Sequence, residues 1–293
     1  MILLPTLKLV AMDDSLVASG ILVAATPLGN IRDASPRLVE ALERADVIAA
    51  EDTRRTRSLA AALGAEIRGK VVSNFDHNEE QRAQELIRVA RSGLVLVISD
   101  AGMPLVSDPG HSIVSAAHDA GVRVTCLPGP SAVTTALALS GLGVGRFIFD
   151  GFAPRKSGAR TTWLESLKGE KRAICFFESP HRIGVTLAHA AEVLGSERRV
   201  AVCRELTKTY EEVRRGTLVE LAEWAADGLR GEITVVIDGA DSTPAPADEE
   251  DLVEAVLAKV DAGVRLKDAV KEVAKSAGVK VGDLYDAALN KRG

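Results

Sequence analysis

Aromatic side chains are scarce, only 3% of 293 residues, with 2 Trp, 2 Tyr and 6 Phe. That scarcity argues against a stacking surface of the kind that grips single-stranded bases. Basic residues are not in excess either, since 36 Lys and Arg stand against 41 Asp and Glu, a net charge of −5. A chain that coats nucleic acid non-specifically needs the opposite balance, although a local basic patch stays open. The three cysteines, Cys126, Cys175 and Cys203, are far apart, sit in apolar runs and form no C-x-x-C pair. Buried reduced thiols of a cytoplasmic protein are the simplest reading. No uninterrupted apolar stretch reaches the roughly 18 residues of a membrane span. The opening "MILLPTLKLVAMDDS" lacks a basic leading region, and Lys8 interrupts its apolar part. Residues 1–19 therefore read as an N-terminal tail or an over-long start, not a signal peptide.

Several common chemistries lack their motifs. There is no G-x-x-x-x-G-K-[ST], so no P-loop. "GLGVG" (141–145) imitates a dinucleotide fingerprint but follows a helical segment instead of a strand, which removes its context. The five histidines show no metal-ligand spacing, and no G-x-S-x-G elbow occurs.

What is present is alternation. "ILVAATP" (21–27), "VIAAE" (47–51), "KVVSN" (70–74), "LVLVISD" (94–100) and "VRVTCLPG" (122–129) read as strands. Amphipathic helical segments lie between and after them, among them "SPRLVEALERAD" with an N-cap serine and a proline at its first turn. The strands are apolar throughout, not alternating, so both sheet faces are covered and the sheet is mainly parallel. The pattern restarts near residue 150 with more strand, including the alternating edge-like "EEVRRGTL". The expected fold is α/β, with an N-terminal α/β domain over 20–150 and a C-terminal α/β domain, rich in antiparallel pairs, over 151–240. A linker by composition spans 241–250, and a small helical appendage occupies 251–293, its last two helices turning at Gly278 like a helix-turn-helix.

Ligands of open α/β sheets bind beyond the carboxyl ends of strands. Four such ends, "TPLGN" (26–30), "EDTRRT" (51–56), "SDAGMPLVSDPG" (99–110) and "LPGPSA" (127–132), are rich in residues that bend or cap the backbone. Bent loops of this kind offer main-chain N–H and C=O groups at fixed places, and glycine admits a ligand closely. Asp100 and Asp108 read as caps on the N–H groups of their own loop.

"ATPLGN", "AAEDTR", "HNE", "SDAGMPLVSDPG", "LPGPSA", "ESPHR" and "RELTKTYEE" occur in this order between residues 20 and 240. Together they resemble the ribosomal RNA small-subunit methyltransferase I group of the tetrapyrrole methylase superfamily. The resemblance implies two α/β domains of tetrapyrrole-methylase type with S-adenosylmethionine (SAM) in the interdomain cleft. It also implies 2′-O-methylation of a cytidine ribose in 16S rRNA, a homodimer, a cytoplasmic setting, and neither a membrane nor DNA as partner. Carried over by motif, it points to Pro27, Ala101, Gly102, Met103, Val106, Ser131 and Ala132 for the cofactor, with Phe177 and Leu206 from the second domain. The chain departs from the group at Met103, where threonine is usual, and at Phe75, where a histidine usually precedes His77.

A ribose hydroxyl is a weak acid, so a base or a nearby positive charge aids its methylation. The candidates on polar strand ends are Glu51 and Asp52 first, then Glu178 and His181, then Lys208; each also has a capping or ion-pairing role open to it. His77 is a further candidate. Arg54, Arg55 and Arg57 beside the cleft, with Arg155, Lys156 and Arg160 at the domain junction, read as a phosphate-binding patch. Two rival readings stand beside this one. A tetrapyrrole-precursor C-methyltransferase would also use arginines, and a helix-turn-helix regulator would read nucleic acid with residues 265–290.

Overall fold

The computed structural model describes residues 16–74, 79–108, 110–240, 249–277 and 279–292. His77, most of the N-terminal tail and the linker, and the Gly278 turn lie outside the described residues.

The first sheet is built from β1 (Gly20–Ala24), β2 (Val47–Ala50), β3 (Lys70–Ser73), β4 (Leu94–Ile98) and β5 (Val124–Leu127) in the order β3-β2-β4-β1-β5. Every pairing is parallel. β1 and β4 are buried at each residue, which is why they read as unbroken apolar runs. The crossover helices α1 (Pro36–Arg44) and α2 (Thr53–Leu63) cover one face. The next two, α3 (Glu79–Ala90) and α4 (His111–Asp119), cover the other. Helix starts follow local chemistry. Ser35 accepts from Leu38 N ahead of Pro36, and Gly64 ends α2 in the left-handed region at φ 71°. Leu16 is buried in the same core, so the end of the segment read as a tail packs on the first sheet.

β1 hands the chain to β2 on one side, while its neighbour β4 hands it to β5 on the other. The chain therefore diverges between β4 and β1, and the loops there open a crevice at the strand tips.

The second sheet contains β6 (Phe147–Phe152), β7 (Ala173–Glu178), β8 (Arg199–Arg204), β9 (Glu212–Thr217) and β10 (Ile233–Ile237) in the order β6-β7-β10-β8-β9. β10 runs antiparallel to β7 and β8, β8 runs antiparallel to β9, and only β6–β7 is parallel. The alternating segment is the edge strand β9, and β6 escaped the sequence reading. One face carries α6 (Ser157–Ser166), α7 (Ile183–Leu194) and α8 (Leu218–Trp224) over a core of Leu164, Ile174, Phe176, Ile183 and Leu187. Burying each such side chain contributes about 1.5–3 kcal/mol.

The other face is covered by α5 (Ala132–Ser140), which follows β5 of the first sheet. Its Val133, Ala136 and Leu137 pack on Cys175, Cys203 and Val236. The two sheets thus share a layer, and the division expected at residue 150 falls within β6. Burial pushes the thiols of Cys175 and Cys203 up to about 12, as suits inert core residues.

The C-terminal helices α9 (Glu249–Asp261), α10 (Leu266–Ala277) and α11 (Val281–Arg292) close on a core of their own, including Val256, Val270, Val273 and Leu284. Among the described residues no helix is long and apolar enough to cross a membrane.

Candidate active site

The loops after β1 and β4 are joined by main chain. Thr26 N donates to Gly102 O (2.9 Å), and Gly102 N donates back to Thr26 O (3.0 Å). The buried Thr26 hydroxyl donates to Ser99 O. Gly102 sits at φ 83°, and a side chain there would meet Leu28 Cδ2 at 3.1 Å and approach Pro130 O at 3.7 Å. Only glycine fits such a place without displacement. Farther along, Leu105 (φ 69°) and Ser107 (φ 68°) are also left-handed, as are Glu205 (φ 52°) and Thr207 (φ 66°) in the loop after β8. All four non-glycine residues with positive φ among the described residues thus fall in two loops, and strain of this kind gathers at working sites. Asn30 N donates to the Thr207 hydroxyl (3.1 Å), which brings those two loops to one crevice.

A set of carboxylates lies at its floor. Asp100 is held by its neighbours: its N–H donates to Glu51 Oε2 (3.1 Å), its Oδ1 accepts from Asp52 N (3.1 Å), and its Oδ2 pairs with Arg55 (3.0 Å). It ties β4 to β2 rather than capping its own loop. Asp108 hydrogen-bonds Ser99 and faces Glu51 and Asp100. Desolvation, and then the charge of Glu51, raise its carboxyl to about 6. Asp52 serves as N-cap of α2, accepting from Arg54 N and Arg55 N, and its contacts with Arg54 hold its carboxyl down at about 2.

The opposite wall comes from the second sheet. Phe177 meets Phe149 and Phe152 edge-on, with ring centroids 5.0 and 5.4 Å apart. Glu178 is buried and fully engaged by Ser179 N, the Thr186 hydroxyl and Arg182, so it braces the start of α7. Lys208 bridges Glu205 (2.9 Å) and Glu232 (3.0 Å). Burial alone would lower its ammonium; the two carboxylates outweigh this and raise it. Between the walls lies a cleft of about 360 Å³, within the range of small-molecule sites.

Of the sequence candidates, Glu51, Arg55, Ala101, Ala132, Phe177 and Glu178 line this cleft. Leu206 lines a small cavity of about 30 Å³ that shares Leu28, Ala132, Glu232 and Thr234 with it. Pro27 is buried beside the Thr26 bridge, and Ser131 is the residue before α5, with no side-chain cap of its own. Met103 and Val106 are half-buried in the loop after Gly102. His181 opens onto a different surface depression with Arg204 and Trp224. The side chains of Arg54 and Arg55 are 89% and 69% exposed, and Arg57, Arg155 and Lys156 are exposed as well. Arg160 corrects the sequence reading. It is buried, and its guanidinium donates to His189 Nδ1 and Pro154 O, so it shapes the loop before α6 and is unavailable to a phosphate. Asp108 was read as a cap of its own loop and not as a site residue, and Phe152 was not singled out at all.

A sulfonium donor suits this lining. Of the acids that line the cleft, Asp100, Glu178 and Glu232 are paired with Arg55, Arg182 and Lys208, which leaves Glu51 and Asp108 as the carboxyls facing a cationic donor. Gly102 lets the loops after β1 and β5 close on the loop after β4, and the first turn of α5 presents N–H groups without a side-chain cap.

The profile of the family described as "Tetrapyrrole (Corrin/Porphyrin) Methylases" matches residues 20–222. The Ribosomal RNA small subunit methyltransferase I of Mycobacterium tuberculosis (strain ATCC 25618 / H37Rv) is 56% identical over 275 residues, covering 93% of this chain and 95% of that protein. Among solved structures, the methyltransferase CobJ superposes with a TM-score of 0.57 at 20% identity, over 76% of this chain and 95% of its own. The uroporphyrin-III C-methyltransferase of Thermus thermophilus, complexed with S-adenyl homocysteine, gives 0.52 at 18% identity, over 75% and 96%.

Proposed function

Because the chain belongs to the tetrapyrrole methylases, in the ribosomal RNA small subunit methyltransferase I group, we propose that its switch-point cleft methylates the ribose 2′-hydroxyl of a cytidine in 16S rRNA. SAM, when bound, supplies an activated methyl group for in-line displacement. The residues that would hold it are Ala101, Gly102, Met103 and Val106 of the loop after β4, Pro27, Ser131 and Ala132, with Phe177 and Leu206 facing them. Asp108 accepts the proton of the 2′-hydroxyl at its carboxylate, which desolvation, and then Glu51 beside it, keep more basic than a free aspartate. Asp100 positions both Arg55 and the start of α2. Arg54, Arg57, Arg155 and Lys156 grip backbone phosphates from the rim. The ribosomal substrate puts the reaction in the cytoplasm, and the resemblance to the group supports a homodimer.

The observation that carries this reading is that Glu51, Ala101 and Asp108 from the strand tips of the first sheet and Ala132 of α5 line one cleft facing Phe177 of the second. Against a tetrapyrrole substrate stands the 56% identity to a ribosomal RNA methyltransferase over 93% of the chain, beside 18–20% to the methyltransferases CobJ and uroporphyrin-III C-methyltransferase. Asp108→Asn tests the role of the carboxyl. Turnover on small ribosomal subunits should fall roughly 10²-fold or more, while calorimetric affinity for S-adenosylhomocysteine stays within a few fold. Unchanged turnover would remove Asp108 from the reaction.

A further inference from the structure

The chain has few aromatic residues, yet five of its six phenylalanines lie on β6 and β7: Phe147, Phe149, Phe152, Phe176 and Phe177. Phe152 stands apart among them. It is 61% exposed and lines the cleft. Its ring meets Phe177 edge-on and lines the cleft, so its open side faces whatever the cleft holds.

The backbone explains how it comes to be there. Along β6, Ile148 packs into the helix-covered core, and Asp150 accepts from Trp163 Nε1 (2.8 Å) on that same side. Phe149 points the other way, into the layer shared with α5. Regular alternation would return Phe152 to the side of Ile148 and Asp150. Instead the register slips. Phe149 pairs with Cys175 and Phe152 with Phe177, so three steps on β6 match two on β7. The extra residue turns Phe152 to the face of Phe149, where both rings meet Phe177. Gly151 takes the strain at φ 68°, and a side chain there would lie 3.1 Å from Ser107 Oγ in the loop that carries Asp108. The bulge thus aims one aromatic ring into the cleft and lets the two walls approach.

A ribose inside a stacked helix cannot present its hydroxyl at the bottom of such a cleft, so the nucleotide must leave the stack. We propose that Phe152 is the platform on which the extruded pyrimidine base of the target nucleotide stacks, with Arg155 and Lys156, exposed just beyond it, holding the flanking phosphates. This rests on the RNA-methyltransferase reading above. Stacking on the face of Phe152 away from Phe177 sets the ribose toward the loop of Asp108, which Gly151 beside it approaches.

Full-length Phe152→Ala, Phe152→Leu and Phe152→Tyr proteins test this on small ribosomal subunits that lack the methyl mark, with calorimetry on S-adenosylhomocysteine in parallel. Alanine should lower kcat/KM for subunits roughly ten- to a hundredfold. Leucine, similar in bulk but without a π face, should recover little, and tyrosine should come within a few fold of wild type. Affinity for S-adenosylhomocysteine should stay within about twofold throughout. Because the ring is exposed, melting temperatures should be nearly unchanged. Leucine as active as phenylalanine, or alanine as active as wild type, would overturn the platform. So would a loss of S-adenosylhomocysteine affinity matching the loss of turnover, since the ring would then line the donor site. A wild-type chain silent on such subunits would instead overturn the functional reading, and the platform with it.

Discussion

Asp108 carries a cost that its position explains. Its carboxyl is raised from 3.8 to about 6, first by desolvation and then by Glu51. Folding therefore favours its protonated form. The stability this gives is complete below pH 3.8 and is lost as pH rises through about 6. At pH 8 the charged side chain is a burden, and Asp108→Asn should make the protein more stable there by about 1–2 kcal/mol, after allowance for solvent screening. The gain should vanish toward pH 4, as chemical denaturation at both pH values would measure. Turnover should move oppositely, with wild-type kcat/KM on subunits falling as pH drops through about 6. A stabilising substitution that removes activity is the usual signature of a strained working residue. Nothing local in "SDPG" announces this. Burial and the charge of Glu51, from another strand tip, raise Asp108, and a sequence read in segments sees only a cap of its own loop.

At the scale of elements, most helix starts and stops were legible because they rest on short-range chemistry: Ser35 with Pro36, Gly64 after α2, Gly141 after α5. β6 was not legible, because its bulge breaks the alternation that identifies a strand. The basic segment before α6 was half legible. "APRKSGAR" does hold basic residues at the domain junction, but burial divides them: Arg155 and Lys156 are exposed while Arg160 is turned inward. The two kinds should behave differently. Arg155→Ala with Lys156→Ala should weaken binding of subunits and flatten its dependence on salt, leaving the melting temperature in place. Arg160→Ala should lower the melting temperature, since it leaves His189 and the Pro154 carbonyl without their donor. Filter binding over a salt series, alongside thermal melts, separates the two.

For the whole molecule, the decisive feature is α5. The parallel first sheet and the largely antiparallel second one followed from hydrophobic patterning, but the helix that joins them belongs by sequence to the first and by packing to the second. Its N-terminal Ala132 lines the cleft, and its Leu137 is buried against the second sheet. Leu137→Ala should cost about 2–4 kcal/mol and should also weaken S-adenosylhomocysteine binding, because the cleft wall rests on the same helix. Loss of stability with undiminished affinity would mean that the site is insulated from this layer. Charge is divided across the same molecule, since three of the five acids that line the cleft are paired with Arg55, Arg182 and Lys208. The floor is acidic and suits the donor, while the exposed arginines of the rim meet the RNA.

One measurement bears on all of this at once: transfer of labelled methyl from SAM to small ribosomal subunits isolated without the mark, followed by mapping of the modified nucleotide. Label on the ribose 2′-oxygen of a single 16S rRNA cytidine is the expected result. No transfer to subunits, or label on a base or on a porphyrin precursor offered in competition, would contradict it.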